Sequence, residues 1–124
     1  MQKTFLLIGA LAMVLAVGLG AFGAHGLKSK LTQEMLDIFE TGVRYHFYHA
    51  IGLLIVGLLA NYIPDSSLLQ WSGWLMIAGI LIFSGSLYVL ATSGIRWLGA
   101  ITPIGGVCFI ASWILMAITI WKGL

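Results

Sequence analysis

Four long stretches of this chain, residues 5–24, 46–63, 71–91 and 98–121, contain no Asp, Glu, Lys or Arg. Each is close to the roughly 20 residues that a helix needs to cross a hydrocarbon core of about 30 Å. Inside such a core every backbone N–H and C=O must be satisfied by the chain itself, and a helix does this within one segment. The expected fold is therefore all-α and integral to a membrane, with four transmembrane helices in an up-and-down bundle forming one domain over residues 1–124.

The rest of the composition agrees. Hydrophobic residues make up 60% of the chain and charged residues 8%, against about a quarter charged in soluble domains. The net charge of +2 comes from six basic and four acidic residues scattered through loops and termini, with no basic run able to track a phosphate backbone. Nucleic acid is excluded as a partner. The lipid bilayer is the partner the composition demands, and a second copy or another membrane protein is left open. Cys108 stands alone inside the last apolar stretch, so it forms no internal disulfide and reads as a small packing residue.

Local signals mark the boundaries. The start of the chain resembles a secretory signal, with Lys3, an apolar run and small residues at Gly20, Ala21 and Gly23, but the run has the length of a full span and is expected to stay. Pro64-Asp65-Ser66 is a turn, and Gly94 suits a left-handed helix C-cap. Pro103 fits the first turn of a helix, where its missing N–H goes unused, and Thr102 is the expected N-cap. Leu98 to Ile101 then enters as irregular backbone.

Residues 31–44 differ in kind. Leu31, Met35, Ile38, Phe39 and Gly42 share one helical face, while Glu34, Asp37, Thr41 and Arg44 share another. The pattern predicts an interfacial amphipathic helix between spans one and two, with Glu40 and Arg44 as an i,i+4 pair.

Lipid tails give apolar helices no hydrophobic reason to associate, so close approach through small residues must supply the attraction. Ala12, Ala16, Gly20 and Ala24 recur every four residues and form the expected packing seam of the first helix. Gly105, Cys108, Ser112 and Thr119 make a similar stripe on the fourth. Trp71, Trp74, Trp97, Trp121, Tyr45, Tyr48 and Tyr62 fall near span ends, where amphipathic rings sit at headgroup level. Loops one and three carry Lys28, Lys30, Arg44 and Arg96 against Lys3 and Lys122 on the other side, which points loops one and three to the cytoplasm.

Chemistry is sparse. Glu34, Asp37, Glu40 and Asp65 all lie outside the four stretches, whereas proton-coupled exporters usually need intramembrane carboxylates. Ser84 and Ser86 have no nucleophile elbow and no acidic partner in a span, so they read as packing hydroxyls. The glycines of residues 18–26 follow a helix, not a strand, and make no phosphate loop. His46 and His49 are spaced i,i+3 with His25 at the end of the preceding span, a weak metal or haem signal without a Cys or carboxylate partner. No metal, cofactor or catalytic residue is assigned.

Four short motifs, Gly20-Ala-Phe-Gly-Ala-His-Gly26, Tyr45-His-Phe-Tyr-His-Ala50, Phe83-Ser-Gly-Ser-Leu-Tyr88 and Ile101-Thr-Pro-Ile-Gly-Gly106, resemble in order those of a bacterial membrane-protein family catalogued as domain of unknown function 423. The eukaryotic transmembrane protein 256 is similar. The family often has Gln where this chain has His46, which argues against a fixed metal role for that residue. The resemblance implies a four-span protein of a bacterial cytoplasmic membrane and brings no reaction, substrate or cofactor. The functional expectation is a non-enzymatic protein that supports membrane integrity or a partner protein. The alternatives are a small transporter or channel, lined by the hydroxyls of Ser84, Ser86, Thr102, Ser112 and Thr119, or a His-based metal- or haem-binding protein. An up-and-down path also brings the four motifs to one membrane face. There His25, His46, His49, Ser84, Ser86, Tyr88 and Thr102 are expected to ring a polar pocket, with the amphipathic helix as its lid.

Overall fold

The computed structural model describes residues 1–124, all of them helix or short connection. Helix α1 spans Gln2–His25 and α2 spans Gln33–Leu59. The third crossing consists of α3 (Ser67–Gly79), a π-helical segment (Ile80–Ser84) and α4 (Gly85–Ser93). A 3₁₀ turn (Arg96–Ala100) leads into α5 (Thr102–Gly123). These make four helical stretches long and apolar enough to cross a membrane. In the bundle α1 packs on α2, α2 on the whole third crossing, and α3 on α5.

The caps follow from residue chemistry. Thr32 and Ser66 have extended backbones, and their side-chain oxygens accept from the N–H groups of Met35 and Leu69, each at 3.2 Å. Asp65 turns the chain ahead of α3 with φ 64°, a conformation that Asp tolerates better than most residues. Gly94 closes α4 in the left-handed region with φ 76°.

Three expectations need correction. Residues 31–44 do not form a separate interfacial helix: from Gln33 they run without a break into span two. No Pro or helix-ending Gly separates the two parts, and the apolar face of the first continues as the buried face of the second. Phe39 and Gly42 are followed on that face by His46, His49, Leu53 and Val56, so the segment stands on the bundle end and is no hinged lid. Thr102 does not cap α5 with its side chain; its hydroxyl lies 2.6 Å from Ser86 Oγ. The preceding chain is also a regular 3₁₀ turn, not irregular, so it satisfies its own polar groups, as in the 3.0 Å bond from Ile101 N–H to Leu98 C=O. Pro103 sits in the first turn of α5, where it costs no hydrogen bond.

Two apolar cores hold the ends of the bundle. The larger contains Phe5, Leu53, Val56, Ala60, Leu69, Met76 and Met116. The smaller contains Leu27, Phe39 and Ala91, flanked by Leu31, Met35, Ile38 and Val43. Small residues set the helix separations. A Cβ added to Gly73 would lie 2.5 Å from the Phe5 ring, and one added to Gly105 would run into the Phe83 backbone of the π segment. Of the expected α1 seam, Ala16 is buried, Ala12 and Gly20 are half-buried, and Ala24 is exposed. Gly9 joins the seam from outside the four-residue spacing, because a Cβ there would lie 3.1 Å from the Ala50 carbonyl oxygen of α2.

Candidate functional site

The polar side chains of the spans cluster where α2 meets the third crossing and α5. Their positions follow from the 42, 46, 49, 53 spacing, which keeps one face of α2 turned inward. Gly42 opens that face: a Cβ there would meet the Tyr88 ring at 2.9 Å, so glycine lets Tyr88 lie against α2. Tyr88 thereby packs against Phe39 with centroids 5.0 Å apart and planes tilted by 42°, and sets its hydroxyl 2.8 Å from His46 Nδ1. Ser84, fully buried at the end of the π segment, donates to the Gly42 carbonyl at 2.7 Å. One α2 glycine thus supplies both the space and the acceptor for the crossing.

His49 is held differently. The indole N–H of Trp113 on α5 donates to His49 Nε2 at 2.9 Å. Indole is only a donor, so Nε2 is the bare nitrogen and Nδ1 carries the proton, which goes to the Tyr45 carbonyl at 2.7 Å. Phe109 stacks on the imidazole with centroids 3.5 Å apart and planes 6° apart. Every polar atom of this ring is used.

Ser86 and Thr102 join the third crossing to the start of α5, and each hydroxyl also lies near a carbonyl of its own segment, Phe83 at 2.9 Å and Leu98 at 3.4 Å. Lower in the bundle, buried Ser72 donates to the Ser112 carbonyl at 2.7 Å. Of the seven residues expected around one pocket, the structure pairs His46 with Tyr88 and Ser86 with Thr102. His49 and Ser84 bond to other partners, and His25 is exposed at the end of α1. The arrangement is a series of bonded pairs along the helix seams and not a ring around one opening. No three His, Cys, Asp or Glu side chains come together as a metal-ligand set. Trp113 and Phe109 were not legible as partners of His49, since only the tertiary fold brings together residues 64 and 60 positions apart.

One polar atom is left over. His46 Nε2 is buried and has no hydrogen-bond partner; the Ala12 backbone of α1 is near it but out of hydrogen-bonding geometry. The Tyr88 hydroxyl and His46 Nδ1 share one hydrogen bond, whose donor is set by the imidazole tautomer. The Nε2 edge of the buried His46 ring is thus turned towards α1.

Two lipid-facing openings flank these pairs. A groove of about 590 Å³ lies between α2, the π segment and α5, walled by Tyr45, Tyr48, His49, Phe83, Phe109 and Trp113. A cleft of about 360 Å³ lies between α1, α2 and the third crossing, and His46, Tyr88, Ala12 and Gly85 are in its wall. On the loop side, Arg96 pairs with Glu34 at 2.8 Å, tying the 3₁₀ turn to the start of α2. The expected Glu40 and Arg44 pair forms at 3.3 Å on the exposed face.

Comparison with known proteins places this geometry in a family. Residues 19–106 match the profile described as "Protein of unknown function (DUF423)". The chain is 52% identical over 121 residues to the UPF0382 membrane protein YwdK of Bacillus subtilis, covering 98% of both chains. It is 48% identical to the UPF0382 membrane protein SH2409 of Staphylococcus haemolyticus and 49% identical to SERP0230 of Staphylococcus epidermidis, again covering 98% of each chain. No solved structure matches. With four membrane-length helices and this end-to-end similarity, the chain is a multi-pass membrane protein that belongs to the UPF0382 family, whose shared domain is DUF423.

Proposed function

We propose that this protein is a non-enzymatic component of the bacterial cytoplasmic membrane that supports the integrity of the bilayer or of a protein partner within it. One observation carries the reading: the hydroxyls of the spans are taken up by backbone carbonyls, of a neighbouring helix for Ser84 and of their own helical stretch for Ser86, Ser112 and Thr119. Ser84, Ser86, Ser112 and Thr119 each donate to a carbonyl within hydrogen-bond distance, and His49 is used at both nitrogens. A conduit needs polar groups turned to its lumen, and a hydrolytic site needs a nucleophile with a free base. Here those groups face neighbouring backbone.

A deletion strain should show altered membrane potential or permeability, or lose a co-purifying membrane protein, and the intact gene should restore the wild-type state. Purified protein in liposomes should move no solute. Reproducible, saturable flux of any solute would overturn the reading in favour of transport. The orientation proposed with it puts loops one and three in the cytoplasm. Cysteines at Ser29 and Ser66 in a Cys108→Ser background should label from opposite sides with an impermeant thiol reagent, and outside labelling at position 29 would invert the protein.

A further inference from the structure

We propose that the cleft between the end of α1 and the start of α2 binds a zwitterionic phospholipid whose headgroup carries a primary ammonium beside its phosphate. Lys28 holds the phosphate and Glu40 the ammonium. The site does not depend on the supporting role proposed above, since a transporter could carry it as well.

The cleft has the make-up of a surface that meets both charge and hydrocarbon. Its volume is about 520 Å³, within the range of small-molecule sites. Leu36 and Val43 of α2 give it an apolar lining, and Lys28 and Glu40 are the charged residues of its wall. Two glycines set its shape. A Cβ on Gly23 would lie 2.8 Å from the Phe39 ring, and one on Gly20 would lie 3.3 Å from Val43 Cγ1. The helices therefore meet over bare backbone, and the only side chain that α1 adds to the cleft wall is the methyl group of Ala24.

Its level is that of the headgroups. Gly23 meets Phe39, so the neighbouring Glu40 stands level with the last turns of α1. Glu40 and Arg44 are exposed and charged, a state that hydrocarbon penalises and the headgroup layer does not. Tyr45 and Tyr48, both partly exposed, follow one to two turns further along α2, as amphipathic rings do at the edge of that layer. Gly20 and Val43 are the innermost lining residues of their helices and lie nearest the acyl chains.

Charge selects the occupant. Lys28 belongs to neither ion pair of the protein. It follows buried Leu27, whose carbonyl accepts from the N–H groups of Lys30 and Leu31 at 3.0 and 3.1 Å, so the turn that carries it is fixed. Glu40 meets Arg44 through Oε1 at 3.3 Å, and a carboxylate has room for further donors. An anionic headgroup would satisfy Lys28 but be repelled by Glu40. A choline headgroup has no N–H to give Glu40 and is recognised by open aromatic faces. The one aromatic ring in this wall, Phe39, is buried and packed against Tyr88. A primary ammonium donates to Glu40 while its phosphate accepts from Lys28, which uses both charges of the wall.

The test titrates the full chain, delipidated in detergent, with dioleoyl phosphatidylethanolamine and reads the complexes by native mass spectrometry. Dioleoyl phosphatidylcholine and dioleoyl phosphatidylglycerol are the comparison arms. Wild type should form a saturable one-to-one complex with phosphatidylethanolamine, about fivefold tighter than with either of the others, the scale of one exposed ion pair. Lys28→Gln should weaken it about fivefold and Lys28→Arg should keep it. Lys30→Gln, on the same turn but outside the cleft wall, should leave it unchanged. Glu40→Gln should weaken phosphatidylethanolamine and strengthen phosphatidylglycerol, inverting the preference. Ala24→Phe fills the cleft from an exposed position and should abolish binding with the melting temperature unchanged; if it folds poorly, the Glu40→Gln inversion decides. The proposal is overturned if no complex forms, if the three lipids bind alike, or if wild type prefers phosphatidylglycerol. It also falls if Lys30→Gln loses as much as Lys28→Gln, if Glu40→Gln keeps the wild-type order of lipids, or if folded Ala24→Phe binds like wild type.

Discussion

The two ends of this bundle are held together by different physics. At the end that contains the α2–α3 turn, Phe5, Leu53, Val56, Leu69 and Met76 interlock, with Gly73 making room for the Phe5 ring. At the end near loops one and three, the apolar core shrinks to Leu27, Phe39 and Ala91, and cross-helix bonds from Ser84, Tyr88 and Ser86 do much of the joining. In lipid, burying one more leucine gains little over leaving it in hydrocarbon, so association rests on fit and on hydrogen bonds. One end uses mainly fit and the other adds bonds. The first should be sensitive to volume, the second to the loss of a donor.

The largest effect should come from breaking the fitted end. Phe5→Ala empties a site that is 1% exposed, and thermal unfolding in detergent should show a loss of about 3 kcal/mol. This is the low end of the range for a buried Phe, because lipid does not penalise an exposed ring as water does. Phe22→Ala, at a position 51% exposed, should be nearly silent. Equal losses would abolish the contrast between fitted core and lipid-facing surface.

Overfilling the α1 seam comes next. Ala16→Leu, at a position 1% exposed, should cost about 1–3 kcal/mol and reduce the yield of folded protein, whereas exposed Ala10→Leu should not. If the two behave alike, α1 does not pack through this face.

On the bonded side, Trp113→Phe keeps most of the ring but leaves His49 Nε2 without its donor, for an expected loss of about 1–2 kcal/mol. A Trp113→Phe, His49→Phe double variant should recover part of it, since no polar atom is then stranded. A strictly additive result would mean that the bond itself carries nothing. The smallest effect is expected for Ser86→Ala, about 0.6 kcal/mol, the usual worth of one hydrogen bond between helices in a membrane. Its partner Thr102 keeps the Leu98 carbonyl within reach.

Sequence conveyed the fitted features better than the bonded ones. Four uncharged runs suffice for four helices, because the bilayer leaves the backbone no other choice. The inward face of residues 31–44 was also visible, but its boundary with span two was drawn from the change in polarity around Arg44, and polarity does not stop a helix. Nothing in Ile80-Leu-Ile-Phe-Ser84 marks a π turn, since its residues are ordinary helix occupants. Of the expected pocket residues most lie inward, yet their partners are backbone carbonyls or side chains 16 to 64 positions away. Such partners depend on helix rotation, which a list of residue types does not contain.

The unbroken run of α2 has a mechanical consequence. At 27 residues it is about 40 Å long, roughly a third longer than the hydrocarbon core, so its first turns project as a stiff rod. Arg96 grips that rod at Glu34, and His46 lies on the same rod 12 residues further in. With no hinge between them, a push or twist applied to the rod at its projecting end reaches the contact between His46 and Tyr88 as a rigid-body displacement.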